Sequence, residues 1–393
     1  MTPISPQTVE PVTAPCSVLP STPEFDVLLA CCRAPTHDLA EHQRAWLREV
    51  DGGRLVQLAE HHGIVPRVYP CLAASDLLAR ETREALRHRY EANARRALAL
   101  TQELFRVLEL LESHGIAALP YKGPVLADQL YGDVAQRQFS DLDVLVQPAD
   151  VPRVKSALCE LGYQPGIQLT KHQERAFLAS GYEYTFDWAG QPNLLEIQWQ
   201  VLPRFYAIDF DISELFRRAV PAQLAGRTVR TVCPEDLLVV LSVHAAKHAW
   251  MRLSWLCDIA RLGRSPAIDK EAVKSQARRL GVERIMATTF AAADALLNSK
   301  LTVERGFGGE PCRAIWEEII PTMAKGAEYN VESVSYFRLM LRMRERWQDR
   351  MRFLWRLAIT PSVGEWSVVR LPGPLFFLYR AVRVLRLGVR LIR

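Results

Sequence analysis

The chain has 393 residues, of which 49% are hydrophobic and 24% charged, enough apolar residues for a globular protein of two or three domains. No run of about 18 uncharged apolar residues is present, so we expect no membrane-spanning helix. The net charge is +5, but residues 338–393 carry thirteen arginines against three acidic residues, a local balance of +10 that leaves −5 for the remainder. The basic end therefore predicts contact with an anionic partner.

The first residues and the cysteines bear on localisation. Residues 1–22 are rich in Pro, Ser and Thr and lack both a basic start and an apolar stretch, which predicts a flexible tail and not a signal peptide. The eight cysteines are scattered, and none forms a C-x-x-C pair. We therefore expect reduced thiols, a cytoplasmic location and no structural zinc site.

Helical patterns precede and follow a central segment. From about Glu24 to Gly115 apolar positions recur with helical spacing, and a long helix is predicted over Glu81–Ser113. After Pro234 the helical spacing returns. The helices predicted there are Glu235–Trp250, Leu253–Leu262, Lys270–Leu280 and Glu283–Leu297.

In the central segment short strands alternate with helices. The predicted elements are strand Ile116–Tyr121, helix Gly123–Tyr131, strand Asp141–Val146, helix Asp150–Gly162, helix Thr170–Ser180, and strands Tyr182–Trp188 and Leu194–Trp199 joined by a turn. This order predicts an α+β fold in which a strand-and-helix core is flanked by N-terminal and C-terminal helical regions. The expected divisions are a tail over 1–22, a helical region over 23–115, the core over 116–232 and a helical domain over 233–393.

The most informative motif is the pair Asp141 and Asp143. Because side chains alternate along a strand, both carboxylates leave one face, about 7 Å apart, while Leu142, Val144 and Val146 fill the other. Two carboxylates on one strand edge suit a pair of divalent cations, which can align a triphosphate with an attacking hydroxyl. An Asp-x-Asp motif also arises by chance on a solvated strand end, so its surroundings decide between the two interpretations.

The surroundings of the pair contain groups that suit phosphate and metal. Lys122-Gly123 stands where a strand enters a helix, and a helix N-terminus offers free backbone N–H groups and a positive dipole to phosphate. Arg137 and Ser140 precede the first carboxylate and add a guanidinium and a hydroxyl. Glu196 lies on a strand that could pair with the strand of the Asp pair. A third carboxylate there could hold metal or take a proton from an acceptor hydroxyl.

These residues resemble the DNA polymerase β-like nucleotidyltransferase superfamily, and within it the uncharacterised nucleotidyltransferases, with Abi-type toxin transferases as cousins. The similar positions are Lys122-Gly123, Leu130–Asp133, Arg137, Ser140–Asp143, Leu145-Val146, His244–Trp250, Leu253–Asp258 and Leu371–Pro374. The chain differs from the superfamily at three places. The superfamily usually has Gly-Ser where this chain has Lys122-Gly123, and Asp where it has Glu196. Relatives often have His where this chain has Gln198.

The resemblance implies a polymerase β-like core with a small mixed sheet. It also implies a magnesium-dependent enzyme that moves a nucleoside monophosphate from an NTP, such as ATP, to a hydroxyl or phosphate and releases pyrophosphate. The catalytic residues and ligands of two Mg²⁺ ions would be Asp141, Asp143 and Glu196. The nucleotide-binding residues would be Lys122, Gly123, Arg137, Ser140 and Lys247.

Two other functions stay open: a nucleotide- or protein-binding relative that no longer catalyses, and a toxin-like transferase acting on tRNA. The acceptor is not identified by these residues. A peptide, a sugar or a small molecule is favoured over RNA, since the chain has no RNA-binding signature. It also contains no G-x-x-x-x-G-K-[ST], G-x-S-x-G or H-E-x-x-H motif, and a P-loop kinase is therefore disfavoured.

The helical segment after Pro234 contains a histidine pair and an acidic residue, Asp258. His244 and His248 share a helix face, but Ala245 stands where the zinc motif has Glu, and we expect core or surface histidines. Asp258 is expected to pair with Lys247 or Arg252.

The last residues, 375–393, form a basic amphipathic segment. Its stripe of arginines consists of Arg380, Arg383, Arg386, Arg390 and Arg393. This pattern predicts either a packed terminal helix with arginines extending along its surface or peripheral contact with an anionic surface.

Overall fold

The computed structural model describes residues 22–33, 45–188, 190–302, 313–331, 333–360, 365, 369, 371 and 373–392. Nearly all of the predicted tail, together with Cys16 and Cys312, lies outside these residues. No disulfide joins the six cysteines of the described part. Among the described helices, none has both the length and the hydropathy needed to cross a membrane.

The described residues form sixteen α-helices and seven β-strands. The helices are α1 Pro23–Arg33, α2 Gly52–His61, α3 Val65–Leu72, α4 Arg80–Ser113, α5 Gly123–Tyr131, α6 Val151–Glu160, α7 Lys171–Ser180, α8 Ile212–Arg217, α9 Pro234–Lys247, α10 Leu253–Gly263, α11 Lys270–Leu280, α12 Glu283–Leu297, α13 Arg313–Ala324, α14 Val334–Arg342, α15 Trp347–Ile359 and α16 Tyr379–Ile392. The strands are β1 Ala118–Pro120, β2 Leu142–Val146, β3 Gln164–Pro165, β4 Glu183–Trp188, β5 Gln191–Gln198, β6 Val220–Leu224 and β7 Arg227–Thr231.

Five strands form one mixed sheet in the order β1-β2-β5-β4-β3. Strand β2 runs parallel to β5, whereas the other neighbouring pairs are antiparallel. Strands β6 and β7 form a separate hairpin that the sequence patterns did not predict, and its turn has Ala225 and Gly226 both at positive φ. A small mixed sheet with helices before and after it confirms the predicted fold class.

Strand β2 is buried along its whole length between two hydrophobic cores. Leu142, Val144 and Val146 belong to a core built on the sheet and the second half of α4. Leu145 leaves the opposite face and joins a larger core to which helices from both ends of the chain contribute. The predicted division of the strand's side chains is therefore confirmed, and the face that carries the Asp pair is turned toward the helical regions.

Helix α4 links the two cores. It is 34 residues long, or about 50 Å at the usual rise per residue. Leu86, near its start, packs in the larger core, whereas Leu104 and Leu111 pack in the sheet core. This helix therefore holds the sheet in position against the N-terminal helices.

The predicted element boundaries are accurate where local signals are strong. Helices α5, α11 and α12 have the predicted bounds. Strand β5 begins at Gln191, three residues before the predicted Leu194, because Trp188 pairs with Gln191 across an irregularity in the β4–β5 register. The predicted turn is therefore shorter, and tertiary pairing extends the strand beyond its apolar run.

Candidate active site

A cavity of about 700 Å³ opens at the start of β2, beside the N-terminus of α5 and against α9 and α10. The predicted site residues that line it are Lys122, Arg137, Ser140, Asp141, Asp143, Glu196 and Lys247. Gly123 begins α5 directly beside Lys122. The fold therefore brings together residues from the β1–α5 junction, the β2 edge, β5 and the end of α9.

The parallel pairing of β2 with β5 brings the acidic residues together. Asp143 and Glu196 are register partners across the two strands. Asp141 lies at the bend just before β2 and lines the same cavity. Asp143 is buried, whereas Asp141 and Glu196 are half-buried. The three predicted carboxylates therefore meet at one mouth.

The amide of Gln198 links these carboxylates. Its Nε2 donates to Asp143 Oδ1 at 3.1 Å, to Glu196 Oε2 at 3.0 Å and to Glu183 Oε2 at 3.3 Å. Tyr121 Oη donates to Gln198 Oε1, which turns the amide nitrogen toward the acids. Because an amide nitrogen has two hydrogens, three carboxylates share two donors here.

Lys122 supplies the nearest positive charge. Its Nζ donates to Asp143 Oδ1 at 2.8 Å, with 11% of the lysine side chain and 6% of the aspartate side chain exposed. Burial lowers the pKa of Lys122, but Asp143 and then Tyr121 outweigh burial, and the net result is a raised pKa. The lysine therefore stays charged and balances part of the acidic cluster.

Burial and mutual repulsion raise the pKa values of the acidic cluster. Burial, followed by the charges of Asp143 and Glu183, raises the pKa of Glu196 to about 8. Burial, followed by Asp143, raises the pKa of Asp141 to about 6, and burial also raises the pKa of Glu183. An added cation would relieve this repulsion, so the mouth of the cavity favours a positively charged ligand.

Gly123 is required by the backbone at the start of α5. Its φ is +52°, in the left-handed region that side chains with a Cβ rarely adopt. A Cβ built at this position would lie 3.3 Å from the backbone oxygen of Asp141. The glycine therefore lets the helix N-terminus approach the acidic edge closely.

Arg137 lies on the cavity wall, where its guanidinium is held by Asp258. Its Nε donates to Asp258 Oδ2 at 2.9 Å, and Tyr131 Oη donates to Asp258 Oδ1 at 2.7 Å. Both members of the ion pair are buried. One N–H group of Arg137 thus bonds to α10 through Asp258, and Tyr131 bonds the end of α5 to the same carboxylate.

The prediction that Asp258 pairs with Lys247 or Arg252 is wrong. Asp258 lies more than one turn inside α10, on the side that packs against α5, and it therefore meets Arg137. Arg252 precedes α10 and pairs with Glu328 at 2.9 Å.

Lys247 and an aromatic group form the wall contributed by α9 and α10. Lys247 Nζ donates to Tyr182 Oη at 3.3 Å, and burial lowers the pKa of the lysine. The rings of His244 and His248 are 4.9 Å apart, and each lies 5.2 Å from the ring of Trp255. Burial lowers the pKa of both histidines, that of His248 to about 3, so the three rings beside Lys247 are uncharged at neutral pH.

Among the cavity residues that were not selected from the sequence, three contribute polar groups to the proposed site. Gln198 stands two positions after Glu196 on the same strand face, a spacing that could have identified it. Glu183 pairs in register with Gln198, which requires knowing how β4 aligns with β5. Arg96 reaches the cavity from α4, is exposed, and forms no ion pair within the described part of the chain. No local pattern marks it.

A family model matches the part of the chain that contains the cavity. Residues 48–298, more than half of the chain, match the family described as uncharacterised nucleotidyltransferase. The chain belongs to this nucleotidyltransferase family. The matched span contains every residue that lines the cavity, and the family name indicates nucleotidyl transfer as the class of reaction. No curated protein and no solved structure matches the chain.

A divalent cation is implied by the nucleotidyltransferase family, and the donor chemistry fits one. Carboxylate oxygens are the ligands that Mg²⁺ prefers, and Asp141, Asp143 and Glu196 place three carboxylates at the cavity mouth. In their present positions, the described side chains form no group of three or more His, Cys, Asp or Glu that could hold a metal ion. Lys122 and the Gln198 amide both contact Asp143 Oδ1, so cation binding requires that oxygen to exchange partners.

Proposed function

We propose that this chain is a magnesium-dependent nucleotidyltransferase that moves a nucleoside monophosphate from an NTP to a hydroxyl or phosphate acceptor and releases pyrophosphate. The strongest support is the acidic cluster beside a lysine at a helix N-terminus, in a chain of a nucleotidyltransferase family. The cluster consists of Asp141, Asp143, Glu183 and Glu196.

Each group of the cavity has a proposed role. Asp141, Asp143 and Glu196 would hold two Mg²⁺ ions, which when bound neutralise the triphosphate and lower the pKa of the acceptor. The N–H groups at the start of α5, together with Lys122 and Arg96, would bind the phosphates.

The cavity wall has proposed roles as well. Ser140, exposed before the first carboxylate, offers a hydroxyl to the phosphates, and Lys247 offers a second cation. Arg137 would act chiefly by holding the wall through Asp258. The uncharged rings around Trp255 suit the face of a nucleobase.

The reaction requires one bond to form and one to break. The acceptor oxygen bonds to the α-phosphorus, the P–O bond to the β-phosphate breaks, and pyrophosphate leaves with the electron pair. The proton of an acceptor hydroxyl must move to a nearby base. We assign this to Glu196, which lies beside Asp143 across the β2–β5 pairing and lines the cavity mouth.

The domain divisions and the acceptor belong to this proposal. The core over 116–232 would supply the carboxylates, and the helical domain over 233–393 would supply Lys247 and the aromatic wall. For the acceptor we favour a peptide, a sugar or a small molecule over RNA, because the sequence contains no RNA-binding signature.

The decisive experiment measures nucleotidyl transfer and NTP binding in parallel. Purified protein is incubated with NTPs labelled at the α-phosphate and Mg²⁺, and Asp141→Asn/Asp143→Asn is compared with the surface control Asp76→Asn. We expect labelled product and Mg²⁺-dependent NTP binding in the wild type and the control, and loss of both in the double variant. Equal labelling of all three proteins would contradict the proposal.

The same samples separate the alternatives. A non-catalytic relative would bind NTP in the wild type and form no product with any acceptor offered. A toxin-like transferase would label tRNA, and its tRNA binding would weaken steeply with salt. Label on peptide or sugar acceptors with no label on tRNA would exclude the toxin-like alternative.

The basic end of the chain, residues 338–393, supports a second proposal, which concerns contact with an anionic surface. Only part of the predicted arginine stripe can contact an external partner, because Arg383 and Arg386 bond to the buried Glu365 at 3.3 Å and 2.8 Å. The side chain of Arg390 and all of Arg393 lie outside the described residues. Large apolar side chains are exposed in the same region, among them Trp347, Trp355, Phe377 and Leu385.

We propose that this end contacts an anionic membrane surface, where exposed aromatic rings and arginines bind together. Sedimentation with vesicles containing phosphatidylserine tests this, with neutral phosphatidylcholine vesicles as the comparison. We expect the wild type to sediment only with the anionic vesicles, and Trp347→Ser/Trp355→Ser to sediment far less. Equal sedimentation of both proteins would overturn this assignment.

A further inference from the structure

A second cavity, of about 810 Å³, lies between the end of α1, helix α3, the end of α5 and helix α10. None of its lining residues lines the first cavity. Its volume is within the range of small-molecule sites. Four arginines line it: Arg33, Arg67, Arg261 and Arg264. The one carboxylate in its lining belongs to the exposed Asp133.

The positive charge of this cavity is not neutralised within the described chain. None of the four arginines forms an ion pair with a carboxylate there. Arg33 Nε donates to the carbonyl of Leu296 at 2.7 Å, and Arg261 Nε donates to the carbonyl of Leu130. A carbonyl orients a guanidinium but carries no net charge, so these bonds position the arginines without balancing them.

An aromatic ring holds two of the arginines at the cavity. The guanidinium of Arg67 lies 5.0 Å from the ring centroid of Tyr131, and that of Arg261 lies 5.1 Å from it. Tyr131 is itself fixed, since its Oη donates to Asp258 at 2.7 Å. Both guanidiniums are thus pre-positioned by cation–π contact, which lowers the entropic cost of binding an anion.

The same hydrogen bonds connect the two cavities. Asp258 accepts from Tyr131 at the second cavity and from Arg137, which lines the first. A ligand in the second cavity that shifts Tyr131 therefore disturbs Asp258, which also pairs with Arg137 in the first cavity.

We propose that the second cavity is a binding site for an anion with at least two linked phosphate groups, such as pyrophosphate or the polyphosphate of a nucleotide. Grouping four guanidiniums around one space is unfavourable unless an anion occupies it. Guanidinium forks match phosphate oxygens in pairs, and a cavity of about 810 Å³ has room for two linked phosphates. This inference is independent of the proposed function, because it requires no catalysis and no metal.

The test is calorimetric titration of inorganic pyrophosphate into the full-length protein in EDTA. EDTA removes the divalent metal that would bridge pyrophosphate to the carboxylates of the first cavity, and the variants below assign the heat to one cavity or the other. We expect one site per chain, with affinity that weakens as salt is raised. Orthophosphate should bind at least tenfold more weakly than pyrophosphate.

Variants locate the site. Arg261→Gln/Arg264→Gln should weaken pyrophosphate binding at least tenfold, and Arg264→Glu, at an exposed position, should do the same with little risk to folding. Arg95→Gln, exposed on α4 and outside both cavities, should bind as the wild type does. Asp141→Asn/Asp143→Asn should also keep the site, which separates this test from that of the proposed function.

Three results would overturn the assignment. The first is no pyrophosphate binding to the wild type in EDTA at millimolar concentration. The second is unchanged affinity in both arginine variants. The third is orthophosphate or sulfate binding as tightly as pyrophosphate, which would indicate a general attraction for anions and not a site for linked phosphates.

Discussion

Replacing Gly123 by alanine tests whether the close approach of α5 to the acidic edge is needed for nucleotide binding. Gly123 has φ +52°, and a left-handed conformation costs an L-residue such as alanine about 1–2 kcal/mol. The new Cβ would also lie 3.3 Å from the backbone oxygen of Asp141, so one of the two segments must move by a few tenths of an ångström. That movement displaces either the phosphate-binding helix end or the carboxylate edge.

The other end of the same helix provides a matched control. Gly132, the residue after Tyr131, has φ +72°, and a Cβ there would meet nothing within 4 Å. Gly132→Ala therefore introduces the same backbone strain without the contact. We expect both variants to lose about 1–2 kcal/mol in free energy of unfolding, measured by urea denaturation.

The two variants should differ in function. Gly123→Ala should weaken NTP binding in the presence of Mg²⁺ at least tenfold, about 1.4 kcal/mol, measured by calorimetry, and should lower transfer further because reacting groups are misplaced. Gly132→Ala should bind NTP as the wild type does. If both variants lose affinity equally, or if neither does, the proposed importance of the contact between Gly123 and Asp141 is refuted.

Three further substitutions test the electrostatics of buried groups. Glu196→Gln should raise the free energy of unfolding at pH 7, without added Mg²⁺, by up to about 3 kcal/mol, since burial and carboxylate neighbours raise the glutamate pKa to about 8. A destabilised variant in urea denaturation would contradict this. Burial lowers the pKa of His62 to about 3 in the folded state. The neutral, buried ring therefore contributes its full stabilisation to the folded protein above the unfolded pKa near 6.5, and this stabilisation is lost as the pH falls toward 3. The loss in free energy of unfolding reaches about 2 kcal/mol by pH 5. His62→Gln, which keeps a donor for the Met323 carbonyl, should lessen the stability difference between pH 7.5 and pH 5 by that amount, and an unchanged difference would argue against it. Asp258→Asn should lower the unfolding free energy by about 3 kcal/mol or more because a buried arginine loses its counter-charge, whereas Asp76→Asn should not.

The sequence determined the local elements and the face of β2 that carries the acids. The alternation of Asp141 and Asp143 with apolar residues is a property of adjacent positions, and so is the start of α5 at Gly123. Signals of this kind extend over one turn of helix or a few residues of strand, which is why the bounds of α5, α11 and α12 were predicted correctly. The residues that resemble nucleotidyltransferases are also local, and the family match agrees with them.

Only the tertiary structure decided which side chains meet. Glu196 reaches Asp143 because β2 runs beside β5 in a particular register, and Glu183 joins them through the alignment of β4. Asp258 pairs with Arg137 and not with its neighbour Arg252 because α10 packs on α5. These choices depend on free energies summed over contacts between distant segments, and no short window of sequence contains them.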